Sequence, residues 1–324
     1  SSTYEVLRKV KISSESRLNI KTKIIVKAKK FYREIKVVDP LSIAVKQVYS
    51  VMQELEKKYD VIVSCSDPKS SHLLAQTVMK KGVCCKKYVQ FWGDPLLNDI
   101  SRDFKIPRFM VKREEEKLMD MATLVFYVSP YTLISQKKTF KKYGKFMDCL
   151  LPAYKAERIS EPVTNVKTIG YFGDYYSSIR NIIPLYEAIK DSEYEFVLYG
   201  QSDIQLESSS HISINGRIPR EVIVKKEDAV DLLVCLCNSS GTQIPGKLYQ
   251  YAATNKPILV INDGEIDLKD QFGHYGRFLF VDNDVDSIKI ILNKIRESDF
   301  SELTPLYDFS VASQIEEMKR KLEV

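Results

Sequence analysis

GTQIPGKLYQYAATNKPILVI, residues 241–261, is the stretch whose reading decides the fold. It opens with the turn formers Gly241, Pro245 and Gly246. Proline suits the first turn of a helix, where an N–H would have no partner in any case. From Lys247 to Ala253 the spacing predicts a helix that buries Leu248, Tyr251 and Ala252 on one face. Lys256-Pro257 stops that helix, because a residue before proline is pushed out of the helical region. The run PILVIND (257–263) then reads as a strand buried on both faces. Unpaired N–H groups and the dipole at a helix start attract anions, and Gly246 leaves room for close approach. The stretch is therefore read both as a helix packed on a sheet and as a phosphate-ready turn.

The same alternation runs along most of the chain. Strand-like runs are YDVIVSCS (59–66, expected to be buried), KKYVQFW (86–92), ATLVFYVS (122–129), KTIGYFG (167–173), YEFVLYG (194–200), HISINGRI (211–218), AVDLLVCLC (229–237) and RFLFVDN (277–283). Helices are expected at 70–81, 107–121, after Pro130, and from Arg180 to Lys190. Continuous Val/Ile/Leu runs between helices indicate parallel sheets covered on both faces, an α/β protein. Two such series meet at a polar seam, AYKAERISEPVTN (153–165). The predicted organisation is a basic domain over 1–155, a second domain over 156–308, and a helix over 309–324 crossing back to the first. Residues 23–38, KIIVKAKKFYREIKVV, read equally as helix or strand. The chain begins Ser-Ser-Thr-Tyr, without an initiator methionine or apolar leader, and is read as trimmed.

Charge divides along the same seam. Residues 1–160 hold 32 Lys+Arg against 17 Asp+Glu, a balance of +15; residues 161–324 hold 17 against 26, a balance of −9. Such asymmetry points to an acidic partner for the first half, although a single lysine cluster is more often a solvated face. No recognised nucleic-acid module is present, and nucleic acid is not expected as a partner. The six cysteines form no CxxC pair, so a zinc site is not expected. Cys65, Cys235 and Cys237 lie in apolar runs and read as small core residues suited to a reducing cytoplasm. No apolar run reaches the roughly 20 residues of a membrane span.

Read in their order, these pieces resemble family 4 (group 1) glycosyltransferases. PGKLYQYAATNKPILVI matches that family's donor-site helix and strand, while IGYFGDYYSSIRN, YEFVLYG, INGRIPREVI and AVDLLVCLCNSS resemble the segments that precede it. VSCSDPKSSHLLA followed by QFWGDP resembles its first-domain segment, and the likeness covers about residues 59–320. The resemblance implies the GT-B architecture, two Rossmann-like domains facing across a cleft. It also implies retention at the anomeric carbon, a nucleoside-diphosphate sugar as co-substrate, no other cofactor and no metal.

It implies His72 and Asp94 on the catalytic side. A lone histidine near a helix start is more often structural, and Asp before Pro is ordinary turn chemistry. Donor contacts are implied at Gly173, Arg180, Asn181, Gly216, Thr242, Gln243, Ile244, Pro245, Gly246, Lys247, Leu248 and Gln250. Arg180 and Lys247 would meet the diphosphate and Gln250 the ribose. Three departures stand out: Thr242 and Gln250 occupy positions where the family has carboxylates, and Asp174 stands where it has Arg. The family's glycine-rich loop after the first strand is missing.

The expected partners are a nucleotide-sugar donor, a glycan or lipid-linked acceptor and an anionic membrane surface. The expected location is cytoplasmic, peripheral at the inner membrane face; oligomeric state is left open. A non-catalytic GT-B partner subunit is the alternative, and a sugar-nucleotide epimerase fits less well.

Overall fold

The computed structural model describes residues 37–50, 56–100 and 105–323. The readings made for residues 1–36 lie outside the described residues. The first unit runs β1 (Lys58–Cys65), α1 (Ser70–Lys80), β2 (Cys84–Trp92), α2 (Arg108–Met119), β3 (Leu124–Tyr127), α3 (Pro130–Thr139) and β4 (Met147–Cys149). Its strands lie in the order β1-β2-β3-β4, all parallel. Local chemistry sets the elements: Pro130 sits in the first turn of α3, and Ser129 caps it by accepting the Thr132 N–H at 3.3 Å.

The second unit contains β5 (Thr168–Phe172), α4 (Ile183–Lys190), β6 (Glu195–Tyr199), β7 (Ile212–Asn215), α5 (Arg220–Asp228), β8 (Leu232–Leu236), α6 (Gly246–Tyr251), β9 (Ile258–Asn262), β10 (Phe278–Asp282) and α7 (Val285–Ile295). Its parallel strands lie in the order β10-β9-β8-β5-β6-β7. This is the doubly wound order, and its direction reverses between β5 and β8, the place where such sheets bind ligands. Asp231 fixes the register there: its Oδ2 accepts from the N–H groups of Lys167 and Thr168 (2.9 and 2.8 Å) and from Thr168 Oγ1 (2.8 Å).

Apolar clusters cover both faces of the second sheet. Ile169, Leu198, Leu232 and Leu259 pack with α4 and α7 on one side; Leu233, Val260, Tyr249 and Phe272 pack on the other. In α6, Leu248, Tyr249, Tyr251 and Ala252 are all buried, so the short helix is held by packing. Past its end, the buried Lys256 ammonium donates to the Val230 carbonyl at 2.6 Å. A final helix, α8 (Val311–Glu323), returns to the first sheet, where Met318 and Leu322 pack against Val89, Phe126 and Leu150.

Two expectations are corrected, and one strand is added. The run 59–66 is not a buried strand: β1 is the last strand at its edge of the sheet among the described residues, and Val61, Val63 and Cys65 are exposed. The helix expected from Arg180 starts at Ile183, because Pro184 belongs to its first turn and Asn181 instead accepts the Ile183 N–H at 3.2 Å. Met147–Cys149 forms a strand too short to show a pattern. Cys235 and Cys237 are buried as expected.

The ends of β5 and β6 meet at two glycines. A Cβ on Gly200 would lie 1.9 Å from the Gly173 carbonyl oxygen, whereas one on Gly216 would meet nothing within 4 Å. Gly200→Ala is expected to lower stability by about 3 kcal/mol or more, and Gly216→Ala to change it by under about 0.5 kcal/mol. Urea denaturation of the two variants checks the pair.

Candidate functional site

The reversal point of the second sheet carries the first group of candidate residues. Gly173 follows β5, and its N–H donates to the Tyr199 carbonyl at 3.0 Å. Arg180 reaches across the reversal: its Nε donates to Asn238 Oδ1, just past β8, at 2.9 Å, and a terminal nitrogen to the Asp174 carbonyl at 3.3 Å. Asn181 joins the same loop system, donating its N–H to Asp263 at 3.4 Å. Asp174 does not leave its position anionic and bare, because Arg217 forms an ion pair with it. Arg217, in the loop that carries the exposed Gly216, thus supplies a cation where the family resemblance expects one at 174. The sequence places Arg217 43 residues from Asp174, so only the folded chain shows the pairing.

Residues 241–243 join the two units. Gly241 adopts φ +85°, and a Cβ there would strike Ile100 and Gln243 at 2.5 Å. The Thr242 carbonyl accepts from Ser129 Oγ at 2.9 Å and Thr132 Oγ1 at 3.0 Å, and its hydroxyl lies 3.0 Å from Thr132 Oγ1. Gln243 donates to the Asn98 carbonyl at 3.2 Å, and Tyr131 OH donates to the Asp267 carbonyl at 2.6 Å. Thr242 and Gln243, expected as donor contacts, spend their polar groups on this joint. Beside them Pro245, buried, helps line a crevice of only about 10 Å³; Ile244 packs against the cluster around Tyr249.

Lys247 and Gln250 open onto a different cavity, of about 280 Å³, between α5, α6 and residues 153–158. Lys247 is ion-paired with Glu227 at 2.5 Å, which in turn binds Arg158 at 2.9 Å. Lys247, expected to meet the diphosphate, is thus engaged by a carboxylate in this structure. Gly246 at that start is exposed, and Leu248 is fully buried in the core.

The first unit brings a second group to the ends of β1 and β2. Asp94 is half-buried, and its carboxyl is raised above the ordinary range, first by burial and then by Asp99 and Asp67, with Lys69 opposing. Lys69 itself is 1% exposed, ion-paired with Asp67 and 5.5 Å above the Trp92 ring. His72 is 0% exposed, stacked on Trp92 at 4.5 Å, with Nδ1 2.7 Å from Ser64 Oγ. Burial and then Lys69 push its pKa down to about 3, so it is neutral. Its Nε2 has no hydrogen-bond partner among the described residues. His72 therefore stands behind Trp92 as a packed, neutral ring and has no exposed face.

Sequence reading missed Glu115, inside the run EEE (114–116), which looks like a solvated face. Glu115 is fully buried; it accepts the Leu97 N–H at 2.7 Å and the Gln136 amide at 2.6 Å. It thereby ties the loop after Asp94 to α3, the two first-unit elements that grip residues 241–243.

No family model matches the sequence, and no curated protein matches it. Solved structures do. HepE of Anabaena, in complex with UDP and glucose, is 13% identical with a TM-score of 0.63, over 88% of this chain and 82% of its own. A glycosyltransferase from Rickettsia africae is 11% identical with a TM-score of 0.60, over 100% and 88%. TarM is 12% identical with a TM-score of 0.61; 88% of this chain covers 59% of it. The fold is GT-B: two Rossmann-like domains of parallel α/β architecture. Among the described residues no helix is long and apolar enough to cross a membrane.

Burial raises the Glu115 carboxyl from its ordinary 4.5 to about 7, against the opposing hydrogen bonds from Leu97 and Gln136. The folded protein holds this proton up to about pH 7, the unfolded chain only to about 4.5. The contribution is fully present below the lower value and lost as pH rises through the upper one. Glu115→Gln is expected to remove it, so that the stability gap between wild type and variant shifts by about 3 kcal/mol across that window. Urea denaturation at a series of pH values checks this.

Proposed function

We propose that the protein is a retaining, family 4-like glycosyltransferase that moves a hexosyl group from a UDP- or GDP-sugar to a hydroxyl of a glycan or lipid-linked acceptor. Surface polysaccharide or cell-wall glycan assembly is the setting that suits it. The observation that carries the reading is the arrangement of Arg180 across the reversal point of β5 and β8. Parallel strands point their carboxyl ends there, and a diphosphate is the ligand such a crevice and cation favour. The UDP in the HepE structure supports the choice of nucleotide.

In this reading Arg180 meets the diphosphate in place of a metal ion, and Lys247 joins it once its pair with Glu227 opens, helped by the N–H at Gly246. Arg217 adds a third cation once its pair with Asp174 opens, and Gln250 offers its amide to the ribose. Asp94 receives the acceptor's proton. The bond from the anomeric carbon to the diphosphate breaks, the acceptor oxygen bonds that carbon on the same face, and the cations hold the departing charge. A raised carboxyl is the better base near neutrality, and the rate falls as pH drops through its value.

One observation favours a second reading, a non-catalytic GT-B partner subunit. Thr242 is held by Thr132, and no carboxylate stands at 242 or 250. Melting curves with UDP, GDP and their sugars separate the two. The enzyme reading expects a rise equivalent to about 2.7 kcal/mol at a hundredfold excess over Kd. It also expects turnover to fall at least about 100-fold in Arg180→Ala. A set of nucleotides none of which shifts the melting point would leave the subunit reading standing.

A further inference from the structure

The first half's excess of positive charge finds no use in the reading above. Three of its lysines meet two cations of the C-terminal helix in one concavity away from the cleft. A cavity of about 520 Å³ is lined by Lys86 and Lys87 from β2, Lys145 from the turn before β4, and Arg320 and Lys321 from α8. Thr123, Leu124 and Met147, at the starts of β3 and β4, form its floor. All the strands of this sheet are parallel, so the cavity opens at their amino ends, opposite the ends that carry Asp94 and Lys69.

Five cations face one lining carboxylate, Asp148. Some are braced by neighbours: Lys321 binds Asp148 at 2.7 Å and Glu317 at 3.2 Å, Arg320 binds Glu317 at 2.6 Å, and Lys86 binds Asp60 at 2.7 Å. The Lys86–Asp60 pair is largely exposed and solvated, so it is weak and opens readily to a competing anion. The cations come from three segments spread between residues 86 and 321, brought together by the docking of α8. Like charges gathered around low-dielectric walls repel one another unless an anion joins them, and such walls concentrate the potential on that anion.

We propose that this cavity is a binding site for a phosphate-bearing anion, distinct from the cleft and independent of the transferase reading. Two sources share that chemistry: a soluble phosphate compound and the headgroup of an anionic phospholipid. Apolar surface from Phe146 and Leu322 lies in the same lining, with Lys145 4.9 Å above the Phe146 ring.

The test compares Lys87→Gln/Lys145→Gln with Lys137→Gln/Lys138→Gln, which removes the same charge from exposed positions on α3 outside the lining. Inorganic phosphate is titrated by calorimetry at low salt. Saturable binding is expected in the full chain, weakened about tenfold by the first pair and less than about twofold by the second. Lys145→Gln alone, at an exposed position, is expected to weaken binding in the same direction, which keeps the test valid if the double variant folds poorly. Equal loss in both double variants, or no saturable binding, would overturn the site. Co-sedimentation with phosphatidylglycerol vesicles, set against phosphatidylcholine vesicles, then names the source. Salt-sensitive binding lost with the first pair alone assigns the headgroup, and its absence beside phosphate binding assigns the soluble compound.

Discussion

The second domain rests on the pairing of β5 with β8, two strands separated by four intervening elements. Among the described residues nothing local holds them in register, since each is a run of apolar residues that could slide by two positions and still bury its side chains. Asp231 removes that freedom. Its carboxylate takes the N–H of Thr168 and of Lys167, and its own N–H donates to Thr168 Oγ1 at 2.9 Å. With the register set, Arg180 can span the Asp174 carbonyl after β5 and Asn238 after β8. The candidate anion site follows from a polar clamp at the opposite end of the same two strands.

The two halves distribute charge differently from what composition alone implies. Of the first domain's cations, Lys69 is buried near the cleft among Asp67, Asp94 and Glu115. Another group gathers at the far end of the strands. Net charge over a segment says nothing about which end of a sheet it reaches, because parallel strands put residues only a few positions apart at opposite ends of the domain. The second domain meets its nominal anionic excess with specific pairs, Asp174 with Arg217 and Glu227 with Lys247 and Arg158.

Much of the second sheet could be read directly from the chain. Buried parallel strands are continuous apolar runs of ordinary length, and ILVIN and LLVCL show this without ambiguity. The reading failed where a pattern needs length or partners. MDC is too short to show a period. YDVIVSCS looks like a core strand, but position in the sheet, which a linear pattern does not encode, leaves it exposed at an edge. The candidate site was readable in kind but not in arrangement. Asp94 follows a strand end as expected, and Arg180 stands in the loop between β5 and α4 instead of at a helix start. Lys247 and Gln250, by contrast, face a cavity apart from the Thr242–Gln243 joint, since six residues of helix turn successive side chains to different sides. Glu115 was hidden because burial is a property of neighbours.

The joint at residues 241–243 has a consequence for motion. Its described contacts are hydroxyl and amide hydrogen bonds to backbone carbonyls, together with the fit of Ile100 against a residue without a side chain. Bonds of this kind can be exchanged for water at small net loss, whereas a broad greasy interface cannot. At residues 241–243 the two domains are thus fastened by a latch that solvent can replace. Separation and reclosure become inexpensive, and the joint re-forms in one geometry each time because the bonds are directional.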